Sequence, residues 1–72
     1  MTLKSAVIGV GSMGHNHARI YWELPDVNLV GVADGDLAKA EAIAQRYVTK
    51  AYADYRIMLD EQKPDIVTIA VP

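Results

Sequence analysis

Three short apolar runs alternate with amphipathic segments along this chain. The runs cover residues 6–10, 28–33 and 66–71, and glycine, aspartate or proline follows each of them closely. Short stretches of this kind, apolar almost throughout and rich in valine and isoleucine, are typical of strands buried on both faces of a sheet. The pattern therefore predicts three buried β-strands.

The intervening segments repeat apolar residues at helical spacing. A first helix is predicted from Ser12 to about Glu23, because Pro25 and Asp26 end the pattern. A second follows Asp36, a plausible N-cap, with an apolar stripe made of Leu37, Ala40, Ile43, Ala44 and Tyr47. A shorter helix around residues 55–61 is predicted behind Asp54, another capping candidate, and it ends before Pro64.

The alternation of strands and helices predicts an α/β fold with a parallel sheet and right-handed crossovers. We expect the three strands in the order 3-2-1, with the helices on one face and the opposite face bare. Because all three strands are apolar on both faces, this arrangement corresponds to the N-terminal half of a doubly wound (Rossmann) domain. The bare face and the unpaired edge of strand 1 predict that the isolated chain self-associates or is molten.

Composition narrows the classes of function. The chain has 72 residues, 51% of them hydrophobic, a net charge of −2 and no cysteine. Disulfides and zinc–thiolate sites are therefore excluded, and no basic surface is available for nucleic acid or an anionic membrane. The apolar runs are too short to span a bilayer, and the start has no signal-peptide pattern, so we expect a cytoplasmic location.

A glycine-rich hexapeptide joins the first strand to the first helix. Residues 9–14, Gly-Val-Gly-Ser-Met-Gly, fit the pattern G-x-G-x-x-G. In this pattern Gly9 permits the tight turn, Gly11 lets a pyrophosphate approach the backbone, and Gly14 lets the helix pack on the strand. The amides of Ser12 and Met13 would then face the phosphates. The alternative is a glycine-rich turn without a ligand.

An acid at the end of the second strand favours the dinucleotide hypothesis. Asp34 lies twenty residues after Gly14, where a carboxylate accepts hydrogen bonds from the ribose hydroxyls of an adenosine. A carboxylate there repels a 2′-phosphate, and Lys39 lies a turn into the next helix, so we predict NAD rather than NADP. Alternatively Asp34 caps the helix, a role for which Asp36 is better placed.

Two histidines stand close to the glycine loop. His15 and His17 lie in the first turns of the helix that would receive the pyrophosphate, remote from a reacting nicotinamide. We therefore assign them to packing or to the phosphate side, with no catalytic role. The aromatic residues Tyr21, Trp22 and Tyr47 are assigned to the core or to subunit contacts.

Four ordered motifs resemble one family. They are residues 7–14 followed by His17-Ala18, residues 29–36, residues 51–55 and residues 64–72. Together they resemble the glucose-fructose oxidoreductase, inositol dehydrogenase and rhizopine-catabolism (Gfo/Idh/MocA) family over nearly the whole chain. The resemblance implies NAD(P)-dependent dehydrogenases of sugars and polyols, with an N-terminal Rossmann domain and a C-terminal substrate domain. Residues 1–72 would then be a truncated Rossmann domain without the substrate domain.

The resemblance also implies roles for single residues. Gly9, Gly11, Ser12, Met13 and Gly14 map to the pyrophosphate loop and Asp34 to the ribose acid, while residues 70–72 map to a wall beside the cofactor. Gly35 departs from the proline that the family often has after the acid. The family's Glu-Lys-Pro segment, whose lysine assists proton transfer, lies beyond Pro72. No catalytic residue is therefore assigned, and the chain alone is expected to be inactive.

The predicted function is the NAD-binding portion of an oxidoreductase that transfers hydride between a carbohydrate-like alcohol and nicotinamide. The alternative is a non-catalytic module that senses NAD. A methyltransferase is disfavoured because its loop is usually G-x-G-x-G whereas position 13 is Met. A hydroxyacid dehydrogenase has a similar loop, but residues 33–34 and 52–55 favour the family named above.

Overall fold

The computed structural model describes residues 2–70, which form a parallel sheet with helices on both faces. The predicted α/β class is confirmed. In chain order the elements are β1 (Leu3–Ile8), α1 (Ser12–Glu23), β2 (Val27–Ala33), α2 (Leu37–Tyr47), β3 (Ala51–Tyr52), α3 (Tyr55–Gln62) and β4 (Ile66–Ile69). Val71 and Pro72, predicted to end the last strand, lie outside the described residues. No helix among residues 2–70 is long and apolar enough to cross a membrane.

The order of the strands corrects the prediction. The sheet runs β3-β2-β1-β4, so β4, which falls within the third predicted strand, pairs with β1 and does not lie beyond β2. The position beside β2 belongs to β3, a strand of two residues that the apolar pattern did not indicate. Val7 lies opposite Thr68 in β4 and opposite Val32 in β2, so the predicted free edge of β1 does not exist.

The reversal of direction places helices on both faces of the sheet. α1 and α2 follow crossovers in one direction and bury Ala18 and Ala44 against Val7 and Val32. The connection from β3 returns across the sheet to β4, and a right-handed crossover in that direction puts α3 on the opposite face. There Met58 packs in a second cluster of buried side chains. The face that was predicted to be bare is therefore partly covered.

Helix α3 covers its face of the sheet only as far as the middle strands. Val67 and Ile69 lie opposite Ala6 and Ile8 on this face, beyond the reach of α3. The exposed fraction is 37% for Val67 and 68% for Ile69. These two side chains form the exposed patch of β4.

A bulge explains why β2 is apolar without alternation. Ser5 pairs with Leu29 but the next residue, Ala6, pairs with Gly31, so β2 contains one extra residue. The bulge lets Leu29 and Val32 face the same helices although three positions separate them. Gly31 faces α3, where an added Cβ would lie 2.9 Å from the sulfur of Met58. Glycine is therefore the residue that lets α3 pack closely on β2.

Both predicted aspartate caps are confirmed. The Asp36 carboxylate accepts a hydrogen bond from the amide of Ala38 at 3.1 Å, and that of Asp54 accepts one from the amide of Arg56 at 2.9 Å. Arg56 also returns two side-chain hydrogen bonds to Asp54. These bonds satisfy amides that have no partner within the helix, so they fix where α2 and α3 begin.

The C-terminus of α2 carries backbone strain. Val48 adopts the left-handed conformation with φ 53° and ψ 56°, and its side chain is 86% exposed. A β-branched residue is unfavourable there, because its Cβ crowds the backbone and it gains no burial in return. Glycine is the usual residue at such a position.

We expect Val48→Gly to raise the free energy of unfolding by about 0.5–1 kcal/mol, since relief of strain exceeds the added chain entropy of glycine. Urea denaturation followed by circular dichroism measures the change. Leu24→Gly is the matched control, because Leu24 ends α1 with φ −76° and carries no such strain. That control should lose stability, and a loss at position 48 would contradict the interpretation.

Candidate functional site

The glycine loop turns the chain sharply between β1 and α1. Gly9 has φ 89°, a conformation that L side chains rarely adopt, and its amide donates to the carbonyl of Ala33 at 2.7 Å. This hydrogen bond continues the pairing of β1 with β2 by one residue. Glycine at position 9 is therefore required by the backbone itself, as the motif predicted.

Gly14 is required by packing. An added Cβ at Gly14 would overlap the carbonyl oxygen of Gly9 and lie 3.5 Å from the Cβ of Ala70. The overlapping oxygen belongs to the backbone and has little freedom to move, so a larger residue would displace α1 from the end of β1. The helix can begin this close to the strand only with glycine at this position.

Gly11 differs from Gly9 and Gly14, because nothing in the described part of the protein requires it to be glycine. Its φ is −65°, and an added Cβ would meet no atom within 4 Å. Space is left open in front of the residue that precedes α1. A group that approaches the backbone from outside would use this space.

The N-terminus of α1 offers free amide groups to the same space. The first helical hydrogen bond runs from the amide of His15 to the carbonyl of Gly11 at 2.8 Å, so the amides of Ser12 to Gly14 precede it. Gly11 supplies no side-chain cap, whereas α2 and α3 are capped by Asp36 and Asp54. Such amides, together with the helix dipole, favour an anion.

Asp34 joins the glycine loop to the end of β2. One carboxylate oxygen accepts from the amide of Val10 at 3.0 Å, and the other accepts from the amide of Asp36 at 2.8 Å. These two backbone hydrogen bonds lower the pKa of Asp34 below its usual value, and the charge of Lys39 acts in the same direction. Each oxygen keeps a second acceptor site for a ligand.

One cleft brings most of the predicted residues together. Its volume is about 590 Å³, and its lining residues are Gly11, Ser12, Met13, Asp34, Lys39, Ile69 and Ala70. Gly9 and Gly14 do not line it, since they shape the turn and the packing behind it. Lys39, which the sequence placed in the next helix, supplies a positive charge at the cleft. A nucleotide with a diphosphate group fits this cleft, because the cleft combines the open space at Gly11, the free amides and the carboxylate.

The histidines lie away from this cleft. The Nε2 atom of His15 is 2.7 Å from the hydroxyl of Tyr47, and the two rings meet edge to face. Trp22 packs on Tyr47 as well. His15 therefore links α1 to α2, which agrees with its assignment to packing, and His17 does not line the cleft.

A second pocket, which the sequence did not predict, lies beside Asp34. This pocket has a volume of about 230 Å³ and is lined by Ile8, Gly9, Ala33, Asp34, Gly35, Ala53 and Tyr55. Ala53 and Tyr55 reach it because β3 and α3 lie next to β2, a position that the predicted strand order did not provide. The capping signal at Asp54 was the available clue, since it fixed the start of α3.

A comparison with protein families identifies the family of this chain. Residues 3–72 match the Gfo/Idh/MocA family model described as an oxidoreductase family with an NAD-binding Rossmann fold. This chain belongs to the Gfo/Idh/MocA family. The resemblance of its four motifs to that family is thereby confirmed.

Similar proteins of this family include dehydrogenases of sugars and polyols. The chain is 36% identical to D-glucoside 3-dehydrogenase of Escherichia coli (strain K12), over 97% of this chain and 20% of that protein. Among solved structures it resembles myo-inositol dehydrogenase from Lactobacillus casei in complex with NAD(H) and myo-inositol, with a TM-score of 0.86, 32% identity and coverage of 97% and 22%. It also resembles GenD2 from gentamicin A biosynthesis in complex with NAD, with a TM-score of 0.93, 30% identity and coverage of 99% and 20%.

These matches extend along nearly all of this chain but only part of each relative. The chain spans about a fifth of the length of the relatives it matches. The matched part is the one described by the family model as an NAD-binding Rossmann fold.

The lowered pKa of Asp34 makes its contribution to stability depend on pH. A carboxylate whose pKa is lower in the folded chain stabilises the fold above its unfolded pKa, and the effect is lost as pH falls through the folded pKa. We expect Asp34→Asn to be less stable than the parent at neutral pH, and the difference to shrink as the solution is acidified. Urea denaturation of both proteins from about pH 7 to about pH 2.5 measures this.

Asp54 and Glu61, whose pKa values are also lowered, remain in both proteins. The difference between parent and variant therefore isolates Asp34. A difference that stays constant with pH would contradict the assigned hydrogen bonds.

Proposed function

We propose that this chain is the NAD-binding portion of an oxidoreductase that transfers hydride between a sugar, polyol or related alcohol and a nicotinamide cofactor. The observation that carries the proposal is the cleft in which the open side of Gly11, the free amides of α1 and the Asp34 carboxylate face one space. Support for the substrate class comes from relatives named as glucoside and inositol dehydrogenases.

In this proposal each residue binds or positions one part of the cofactor. The amides of Ser12 and Met13 bind the pyrophosphate, and Gly11 lets it approach. Gly9 and Gly14 hold the loop in the required shape. Asp34 accepts hydrogen bonds from the ribose hydroxyls through the acceptor sites that its backbone bonds leave free. When bound, the cofactor supplies the hydride chemistry, and these residues supply orientation and charge.

NAD is the proposed cofactor rather than NADP. The pKa of Asp34 is lowered by backbone hydrogen bonds, so the group is an anion at neutral pH and repels a 2′-phosphate. Lys39 lines the same cleft and offsets part of this charge. We therefore propose a preference for NAD, weaker than the carboxylate alone would give.

The acid–base and substrate groups are proposed to lie in the part of the relatives that this chain does not span. Its described residues place His15 in an internal hydrogen bond with Tyr47, away from the cleft. The side chains that do line the cleft can orient the cofactor and place charge beside it. We propose that the chain by itself binds cofactor without turning over an alcohol.

Isothermal titration calorimetry of the 72-residue chain with NAD and NADP tests the proposal. NAD should bind, and NADP should bind more weakly. Gly11→Ala should weaken NAD binding by about tenfold, about 1.4 kcal/mol, because the methyl group occupies the space in front of the loop. The open surroundings of Gly11 mean that the variant should fold as the parent does.

Circular dichroism of Gly11→Ala supplies the control for folding. A folded variant that binds NAD as tightly as the parent would remove the loop from the site. A parent chain that binds neither nucleotide would overturn the cofactor proposal.

We also propose that the chain associates with itself through the exposed patch of β4. Val67 and Ile69 extend the apolar α3 face beyond the helix, and β4 is an outer strand of the sheet. Apolar side chains at the edge of a sheet favour pairing with a second strand. Self-association would bury the side chains of Val67 and Ile69 away from water.

Ile69→Lys should shift the isolated chain toward monomer in sedimentation velocity experiments, because the charge opposes burial of the patch. Ile20→Lys is the matched control, since Ile20 is 45% exposed on α1 at the opposite face. That control should associate as the parent does. If the parent is monomeric at all concentrations, or if both variants behave alike, the patch is not the interface.

A further inference from the structure

Met13 places an exposed thioether in the main cleft. The residue is 67% exposed, although methionine is usually buried, and it lines the cleft beside Gly11, Ser12, Asp34 and Lys39. The proposed binding of pyrophosphate uses only the backbone amide of Met13. Its side chain therefore has no role yet at the place where the cofactor is proposed to bind.

Met58 has the opposite environment. It is completely buried under β2, and an added Cβ at Gly31 would lie 2.9 Å from its sulfur. The chain contains three methionines and no cysteine, and Met1 lies outside the described residues. Among residues 2–70, Met13 is therefore the sulfur-containing residue that a solute can reach.

An accessible thioether is open to oxidation by a peroxide. The sulfur lone pair attacks one peroxide oxygen, the O–O bond breaks and an S–O bond forms. The transferred oxygen gives up its proton to the departing hydroxide, which leaves as water. The product is methionine sulfoxide, which is polar where the thioether was apolar, and a thiol-dependent reductase can reverse the change.

At position 13 the new oxygen would enter the space that faces the free amides of α1. The amides of Ser12 to Gly14 precede the first helical hydrogen bond, and Gly11 gives them no side-chain cap. A sulfoxide oxygen carries partial negative charge and accepts hydrogen bonds, so it would compete with a phosphate for these amides. Because it is tethered to the helix, it competes at a high effective concentration.

We propose that Met13 is an oxidation site through which a peroxide weakens cofactor binding by this chain. This inference rests on the proposed function and deepens it, because it names a regulation of the same site. A bound dinucleotide covers the cleft and shields the thioether. Reduction of the sulfoxide restores binding, so the change is reversible. Met58 takes no part because it is buried.

Peptide mapping after treatment with hydrogen peroxide shows which sulfur reacts. Trypsin separates the three methionines into peptides of residues 1–4, 5–19 and 57–72. In the folded chain Met13 should gain an oxygen faster than Met58 by about tenfold or more, because oxidation follows exposure. In urea, which removes the burial of Met58, the two should react at similar rates.

Calorimetry with NAD measures the effect on binding. Saturating NAD should slow the oxidation of Met13, and the oxidised chain should bind NAD about tenfold more weakly, the loss expected for one hydrogen bond to a charged group. Methionine sulfoxide reductase with dithiothreitol should restore the affinity. Because the chain has no cysteine, the thiol itself has no disulfide to reduce.

Met13→Leu and Met58→Leu are a matched pair of variants. Leucine keeps the size and apolar character of methionine, so both variants should fold, which circular dichroism checks. Each is compared with itself before and after peroxide. The NAD affinity of Met13→Leu should not respond to peroxide, whereas Met58→Leu should respond as the parent does. If Met58→Leu does not fold, the peptide map supplies the same comparison.

The outcomes separate this inference from the proposed function. If the untreated parent binds no NAD, the proposed function fails and the inference fails with it. If the parent binds NAD but its oxidised form binds equally well, or if Met13→Leu still responds to peroxide, only the oxidation site is wrong. Equal oxidation of Met13 and Met58 in the folded chain, or no shielding by NAD, would overturn it as well.

Discussion

The close contact between α1 and the end of β1 is the constraint on which the rest of the structure depends. Gly14 has no room for a side chain because the carbonyl oxygen of Gly9 occupies that space. The contact sets the helix N-terminus directly at the carboxyl edge of the sheet, so its free amides face the cleft. The position of the cleft at the start of α1 is thus a consequence of one steric requirement.

The sheet is buried from two sides because the chain reverses direction once. Two crossovers lead outward from β1 to β3, and the third returns to β4 with α3 on the other face. Val7 then packs under α1 and α2, while Ala6, its neighbour along β1, packs under α3. This arrangement explains why the strands contain long apolar runs without alternation.

The elements with strong local signals were predictable from the sequence. The span of α1, the two aspartate caps and the glycine loop rest on the identity of neighbouring residues, and they appear where they were expected. The strand order was wrong because β3 has two residues, too few to produce an apolar run. Its place beside β2 is decided by tertiary hydrogen bonds, from the amide of Val32 to Lys50 and from that of Asp34 to Tyr52. The second pocket was missed for the same reason, since β3 and α3 form its wall.

Asp34 performs two tasks with one carboxylate. It ties the glycine loop to β2 through the amide of Val10, and it faces the space assigned to the cofactor. Redesign of cofactor preference at this residue therefore has a structural side effect. An alanine introduced to admit a phosphate would also release the loop from its strand. Cofactor selectivity could therefore be changed cleanly only by a residue that keeps an acceptor for that amide.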